Sequence, residues 1–257
     1  MTGRNGSTAL HTGSGSLVDR LARSVISQVS AAPHQRRSRR IEIGSKVLYA
    51  AVADVASFDR AQVLADLTAL RVSPTDVVDL CIPQVATWLG EDWVEDRMTF
   101  AQVTSASARL FGLCKTLGQD WNNVRPALNA RALLIATLDH ESHIIGPAVL
   151  TDQLRRRGHS VQLHSNATGE TLIERMSQDN FHAVLLSVST WQALESASKA
   201  IREIRQEFKA AFIVLGGAVL NEDGFDLSLT DADMTTNNID AALDAITGDD
   251  IALKVAE

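Results

Sequence analysis

Beyond Asn122-Asn123 and Pro126 the chain takes up a rhythm that few folds accommodate, in which short apolar runs alternate with helical segments. Runs rich in Val, Ile, Leu and Ala fall at Arg131–Thr137, Val161–His164, Ala183–Val188 and Phe212–Leu215, with a weaker one at Asp233–Thr235. Helical periodicity fills the intervals at about 145–157, 170–178, 190–208 and 238–246. Strands separated by helices cannot close tight hairpins, so they lie parallel, and right-handed crossovers put helices on both faces. The expectation is a doubly wound, five-stranded parallel sheet that binds ligands beyond the carboxyl ends of its strands.

The first half obeys a different period. Val47–Val55, Ala61–Leu70, Pro74 to about Gly90 and Phe100–Leu117 all read as helices, with no alternating strand pattern between them. Ser73-Pro74-Thr75-Asp76 supplies an N-cap, a first-turn Pro and a first-turn acid, and Thr99-Phe100-Ala101-Gln102 has the form of a capping box. Four helices with short connections predict an antiparallel bundle. Ahead of it, residues 1–15 are rich in Gly, Ser and Thr, an amphipathic helix is expected at 16–31, and Pro33 is expected to end it within a basic stretch at 31–40. The expected organisation is a flexible basic extension at 1–45, a helical bundle at 46–128 and an α/β domain at 129–257.

Charge is distributed unevenly. Residues 1–46 hold 8 basic and 2 acidic side chains, whereas the whole chain of 257 residues has 24 basic and 31 acidic ones and a net charge of −7. Global attraction to a duplex is therefore excluded, and a basic arm leaves direct nucleic-acid contact open. No apolar run approaches the roughly 20 residues of a membrane helix. The first twenty residues lack the apolar core of a secretory signal, so a cytoplasmic location with no membrane association is expected. Cys81 and Cys114 lie among apolar neighbours without CxxC spacing and are expected to be buried and reduced. There is no GxSxG elbow, and paired carboxylates such as Glu91-Asp92 and Glu95-Asp96 fit solvated helix faces, so no enzyme activity is expected.

The loop after the first strand is Leu138-Asp139-His140-Glu141-Ser142-His143-Ile144-Ile145-Gly146-Pro147. It is neither a GxGxxG nor a Walker loop. It contains Glu141-x-His143-x-x-Gly146, in which an imidazole can offer one nitrogen to a metal while a nearby carboxylate holds the other. Gly146 permits close approach of a flat ligand. Ser187-Val188-Ser189 ends the third strand in hydroxyl residues and Gly216-Gly217 ends the fourth, which opens a slot down the sheet. His140 competes with His143 as a ligand but has the wrong spacing to Gly146.

These segments resemble the cobalamin-binding domain pattern DxHxxG, SxL, GG, on a flavodoxin- or Rossmann-like fold. The resemblance implies that His143 is the cobalt ligand supported by Glu141, that Gly146 is the close-approach glycine, and that Ser187, Ser189, Gly216 and Gly217 line the groove of the nucleotide tail. Glu141 stands where the family has Asp, and the Leu of SxL is Ser189. A bundle placed ahead of such a domain resembles the cap over the upper corrin face. In the light-sensing adenosylcobalamin repressors a Trp is followed, after nine intervening residues, by Glu-His; here Trp93 is followed at the same spacing by Val103-Thr104. This implies a corrin-facing Trp93, Val103 and Thr104, and hydroxocobalamin in preference to adenosylcobalamin.

As a whole the chain resembles the AerR/PpaA antirepressors of photosynthetic proteobacteria. That resemblance implies a light-responsive regulator of photosynthesis genes, acting as antirepressor on a transcription repressor of the CrtJ/PpsR type. Two other readings stay open: a corrinoid methyl carrier serving methyltransferases, and a haem-binding redox sensor of the SCHIC type.

Overall fold

Strands of the second half alternate their apolar residues between two faces, and each face builds its own core. The computed structural model describes residues 17–54, 57–119, 126–139 and 141–248, with side chains described from residue 34 onward except at Leu227. Strands β1 (Ala132–Leu138), β2 (Ser160–Ala167), β3 (Ala183–Ser187), β4 (Phe212–Gly216) and β5 (Met234–Thr235) form one parallel sheet in the order β2-β1-β3-β4-β5. Leu134, Ala136, Val184, Leu186, Ile213 and Leu215 point to one side. There they meet helices α7 (Gly169–Gln178) and α8 (Trp191–Glu207) through Leu172, Leu194, Ala197 and Ile201. Leu133, Ile135, Leu185 and Val214 point to the other side, where α6 (Ile145–Arg156) and α9 (Ile239–Thr247) contribute Leu154, Ala242 and Ile246. The expected fold class therefore stands: a flavodoxin-like α/β sheet following a helical first half.

That first half packs α1 (Leu17–Ala53), α2 (Arg60–Ala69), α3 (Pro74–Asp76), α4 (Ile82–Val94) and α5 (Phe100–Gly118) around Leu48, Leu67, Val78, Ile82, Leu89, Leu110 and Leu113. Tyr49 meets Trp88 edge to face at 6.0 Å, so Trp88 belongs to this core. The helix starts are those expected: Ser73 Oγ accepts from Asp76 N–H at 3.1 Å, and Thr99 with Gln102 forms a reciprocal capping box. Thr99→Ala is expected to cost about 1 kcal/mol, read from a urea melt. Cys81 and Cys114 are buried free thiols, and burial pushes the Cys114 thiol up to about 12. No helix among the described residues is long and apolar enough to cross a membrane.

The amino-terminal expectation needs correction. Helix α1 runs through Pro33 instead of ending there, and residues 34–45 join the bundle instead of forming a flexible extension. A proline inside a helix costs about 3 kcal/mol, but burial of each Leu or Val side chain returns roughly 1.5–3 kcal/mol. Downstream of Pro33, Ser45, Leu48 and Val52 are buried, and a Cβ on Gly44 would lie only 3.0 Å from Val72. Arg37 adds a 2.5 Å ion pair to Asp76. The expected tail at 1–15 lies outside the described residues.

Candidate functional site

The strand order reverses between β1 and β3, so the crevice at their carboxyl ends is where this fold leaves room for a ligand. Thr137, Ser187 and Gly216 lie in one register row across β1, β3 and β4. Beyond Leu138 the chain turns into the loop carrying Glu141 and His143 and enters α6 at Ile145.

Glu141 organises this edge. Its carboxylate is 1% exposed. One oxygen accepts from the His143 backbone N–H at 2.9 Å and bonds the ring Nδ1 at 2.6 Å, while the other accepts from Ser189 N–H at 2.8 Å. One carboxylate thus ties the loop after β1 to the loop after β3. The shorter Asp of the family pattern would lose a methylene of this reach. Burial pushes the Glu141 carboxyl up, but the three hydrogen bonds and the His143 charge outweigh it and hold it below the ordinary carboxylate value. The bond to Glu141 raises His143 above the ordinary imidazole value, against a smaller opposing effect of burial.

The His143 side chain is 62% exposed. With Nδ1–H donated to Glu141, the neutral ring presents the Nε2 lone pair as its remaining donor atom, and the carboxylate increases its basicity.

A cavity of about 980 Å³ opens beside this ring. Its sheet wall includes Leu185, Ser187, Val214, Gly216 and Gly217, and its helical walls come from α6 and α9. Gly146 lines the mouth, and a Cβ there would meet nothing within 4 Å. Gly217 has a backbone reason to be glycine: its φ is +118°, and a Cβ would lie 2.1 Å from the Val188 carbonyl oxygen. His143, Gly146, Ser187, Gly216 and Gly217 therefore share one cavity wall or mouth.

Other candidates fall elsewhere. Ser189 contributes its N–H to Glu141, and Thr190, not Ser189, caps α8 by accepting from Ala193 N–H. Trp93 is 52% exposed at the end of α4, Thr104 is exposed, and Val103 packs on the bundle core. None of the three lines the cavity, whose bundle-side wall is Pro83, Ala86 and Ser107. Trp93 lies two helical turns from Ala86, about 10 Å along the axis. His159 and His182 accept backbone N–H bonds from Arg131 and Ala132 and are structural. His140 lies outside the described residues.

Thr236, Asn237 and Asn238, which follow β5, also line the cavity. Asn237 accepts from Gly217 N–H at 2.7 Å and donates to Gly217 C=O at 3.1 Å, so it holds the glycine turn in place. Asn238 caps α9. The Asn pair at the end of the last strand was the available signal for them. Pro83, Ala86 and Ser107 had none, because their approach to the sheet depends on how the halves pack.

Residues 131–234 match the B12 binding domain family. An uncharacterized 20.5 kDa protein in the bchF-crtJ intergenic region of Rhodobacter capsulatus is 30% identical over 177 residues, which cover 68% of this chain and 92% of that protein. The chain belongs to that protein's family. The Methanosarcina barkeri monomethylamine corrinoid protein shares the fold, with a TM-score of 0.59 at 16% identity, covering 77% of this chain and 95% of the other.

The residues of this B12 binding domain fit its cofactor class, cobalamin. One oriented imidazole with a free nitrogen suits a metal whose equatorial positions a ring already fills. The open space at Gly146 and the deep cavity beside it suit a flat macrocycle with a tail.

A pH dependence follows from the Glu141–His143 pair. In the ligand-free protein, the raised His143 value gives stability that is complete below the unfolded imidazole value and lost as pH rises through the folded one. The lowered Glu141 value gives stability that is present above the unfolded carboxylate value and lost as pH falls through the folded one. The pair thus contributes fully from about pH 4.3 to 6.5. Cobalamin binding through His143 would have the opposite sense, since a proton on Nε2 would compete with the metal. Affinity is expected to fall as pH drops through the raised His143 value, and Glu141→Gln should shift that fall to lower pH. Spectral titrations at several pH values check this.

Proposed function

We propose that this protein is a cobalamin-dependent, light-responsive transcription regulator, acting as an antirepressor of a CrtJ/PpsR-type repressor of photosynthesis genes. The observation that carries the reading is the Glu141-tethered imidazole at the mouth of a deep slot, with a helical bundle packed directly on the helix that follows it. The gene neighbourhood in the relative's name, bchF-crtJ, supports the regulatory part.

Bound cobalamin supplies a cobalt centre whose upper ligand light or exchange can alter. His143 would hold that centre through Nε2, and Glu141 would keep the imidazole in the required tautomer. Ser187, Gly216, Gly217 and Asn237 border the space for the nucleotide tail. Trp93 and Thr104, both exposed and outside the cavity, would reach the ring only through closure of the bundle over the slot, and Val103, packed on the bundle core, would not. A repressor that reads the bundle would then sense the ligand state as a shift between two packings.

The test is an absorption spectrum of the purified protein with hydroxocobalamin, dark and illuminated, followed by repressor binding in both states. Cobalamin retention with a light-dependent change in repressor affinity is the expected result. Equal affinity in both states overturns the light-sensing part. A Soret band from bound haem, or methylation of the bound corrinoid by a partner methyltransferase, moves the protein to the sensor or carrier class.

A further inference from the structure

Helix α4 carries a proline in its first turn, and the backbone ahead of it is distorted. Pro83 lacks an N–H and its ring crowds the carbonyl four residues back, that of Asp79. The chain widens there into a π turn over Val77–Cys81, closed by Ile82 N–H donating to Val77 C=O. Such turns inside helices concentrate at functional positions.

Asp79 in this turn reaches across to the sheet domain. Arg156 of α6 binds its Oδ1, and Gln153 Nε2 donates to the same oxygen at 3.1 Å. Arg156 is 18% exposed, and its Nε donates to buried Asp152 at 2.9 Å.

Helix α6 faces both halves of the molecule. Ala148 and Val149 enter the bundle core and Ile145 packs against it, whereas Leu150 and Leu154 pack under the sheet. The helix begins two residues after His143. Its apolar end, next to the ligand loop, tolerates sliding, because dispersion contacts have little direction. Its far end does not, since a misaligned Arg156 would lose its partly buried pair with Asp79 and leave the buried Asp152 carboxylate poorly paired.

We propose that Asp79, Arg156 and Asp152 are positioning residues that register the bundle over the slot mouth and so set access to the upper face of bound cobalamin. The proposal rests on the cobalamin reading above and adds to it a physical link from the His143 loop through α6 to the π turn. A displacement of the His143 loop would be carried by α6 to a contact that permits one register.

The experiment compares the full-length protein with Asp79→Asn, Arg156→Met and Arg156→Lys. Two quantities are read: the rate at which added azide replaces the upper water ligand of bound hydroxocobalamin, and amide hydrogen exchange of the ligand-free protein. Asp79→Asn and Arg156→Met are expected to keep the His143-dependent spectrum and to exchange the upper ligand about tenfold faster. Amides of α4 and α5 should lose protection while those of β1 and β3 keep theirs, and Arg156→Lys should recover part of both effects. An unchanged azide rate in folded Asp79→Asn and Arg156→Met overturns the proposal. If Arg156→Met does not fold, the isosteric Asp79→Asn carries the test. If the unaltered protein binds no hydroxocobalamin, the cobalamin reading fails instead, and amide exchange still decides whether the cluster registers the bundle.

Discussion

Replacing Gly217 by valine is expected to destabilise the protein by about 3 kcal/mol or more, a fall of roughly 10 °C in Tm. Two independent costs meet there. The backbone holds φ at +118° with ψ at −177°, a region open to glycine and strained for any other residue. A Cβ would also stand 2.1 Å from Val188 O and 2.8 Å from Val188 N and C, so the obstacle is backbone, not a side chain that can rotate away. The chain cannot retreat, because Asn237 grips the Gly217 N–H and C=O. Val188 is pinned in turn by its N–H bond to Gly216 C=O at 2.8 Å. Gly146→Ala is the contrasting case, expected to leave stability nearly unchanged, since nothing lies within 4 Å of the added methyl. A loss of cobalamin affinity in Gly146→Ala with an unchanged urea midpoint would separate a glycine kept open for a ligand from one demanded by the fold.

Loss of His143 is expected to abolish stable cobalamin retention while leaving the fold intact. The side chain is largely exposed and contributes no core packing, so His143→Ala should melt within about 1 kcal/mol of the unaltered protein. Glu141→Gln should behave differently. The carboxylate is buried and accepts from three N–H groups, two of them backbone donors. A glutamine amide keeps one acceptor oxygen and turns its NH2, a donor, toward at least one of these N–H groups, so a bond is lost and the imidazole is freed to rotate. A loss of about 10- to 100-fold in affinity is expected, together with a stability cost of about 1–3 kcal/mol. Gel filtration followed by the cobalamin absorption of the protein peak, beside a urea melt, reads both quantities. Retention in His143→Ala equal to that of the unaltered protein would place the cobalt ligand elsewhere.

The strands and their helices were legible because each rests on a local period. The expected β1 and α9 each lie one residue early, but the alternation of Leu133, Leu134, Ile135 and Ala136 between faces needs no knowledge of neighbours. Capping is equally local at Thr99 and Ser73. Pro33 misled for the opposite reason. Its local cost is real, and burial of Leu48 and Val52 against helices that come later in the chain outweighs it.

The sequence by itself determined the two halves, the parallel sheet and the loop with its imidazole and carboxylate, because hydrophobic period and spacing are written in neighbouring residues. Only the tertiary structure decided that Glu141 also holds Ser189, that Asn237 locks Gly217, that Pro83, Ala86 and Ser107 wall the slot while Trp93 stands two turns away, and that Asp79 meets Arg156. The three hydrogen-bonded contacts join residues 20, 48 and 77 positions apart. Such contacts form only when independent elements dock, and docking is governed by the summed burial of whole faces, which no single stretch of sequence encodes.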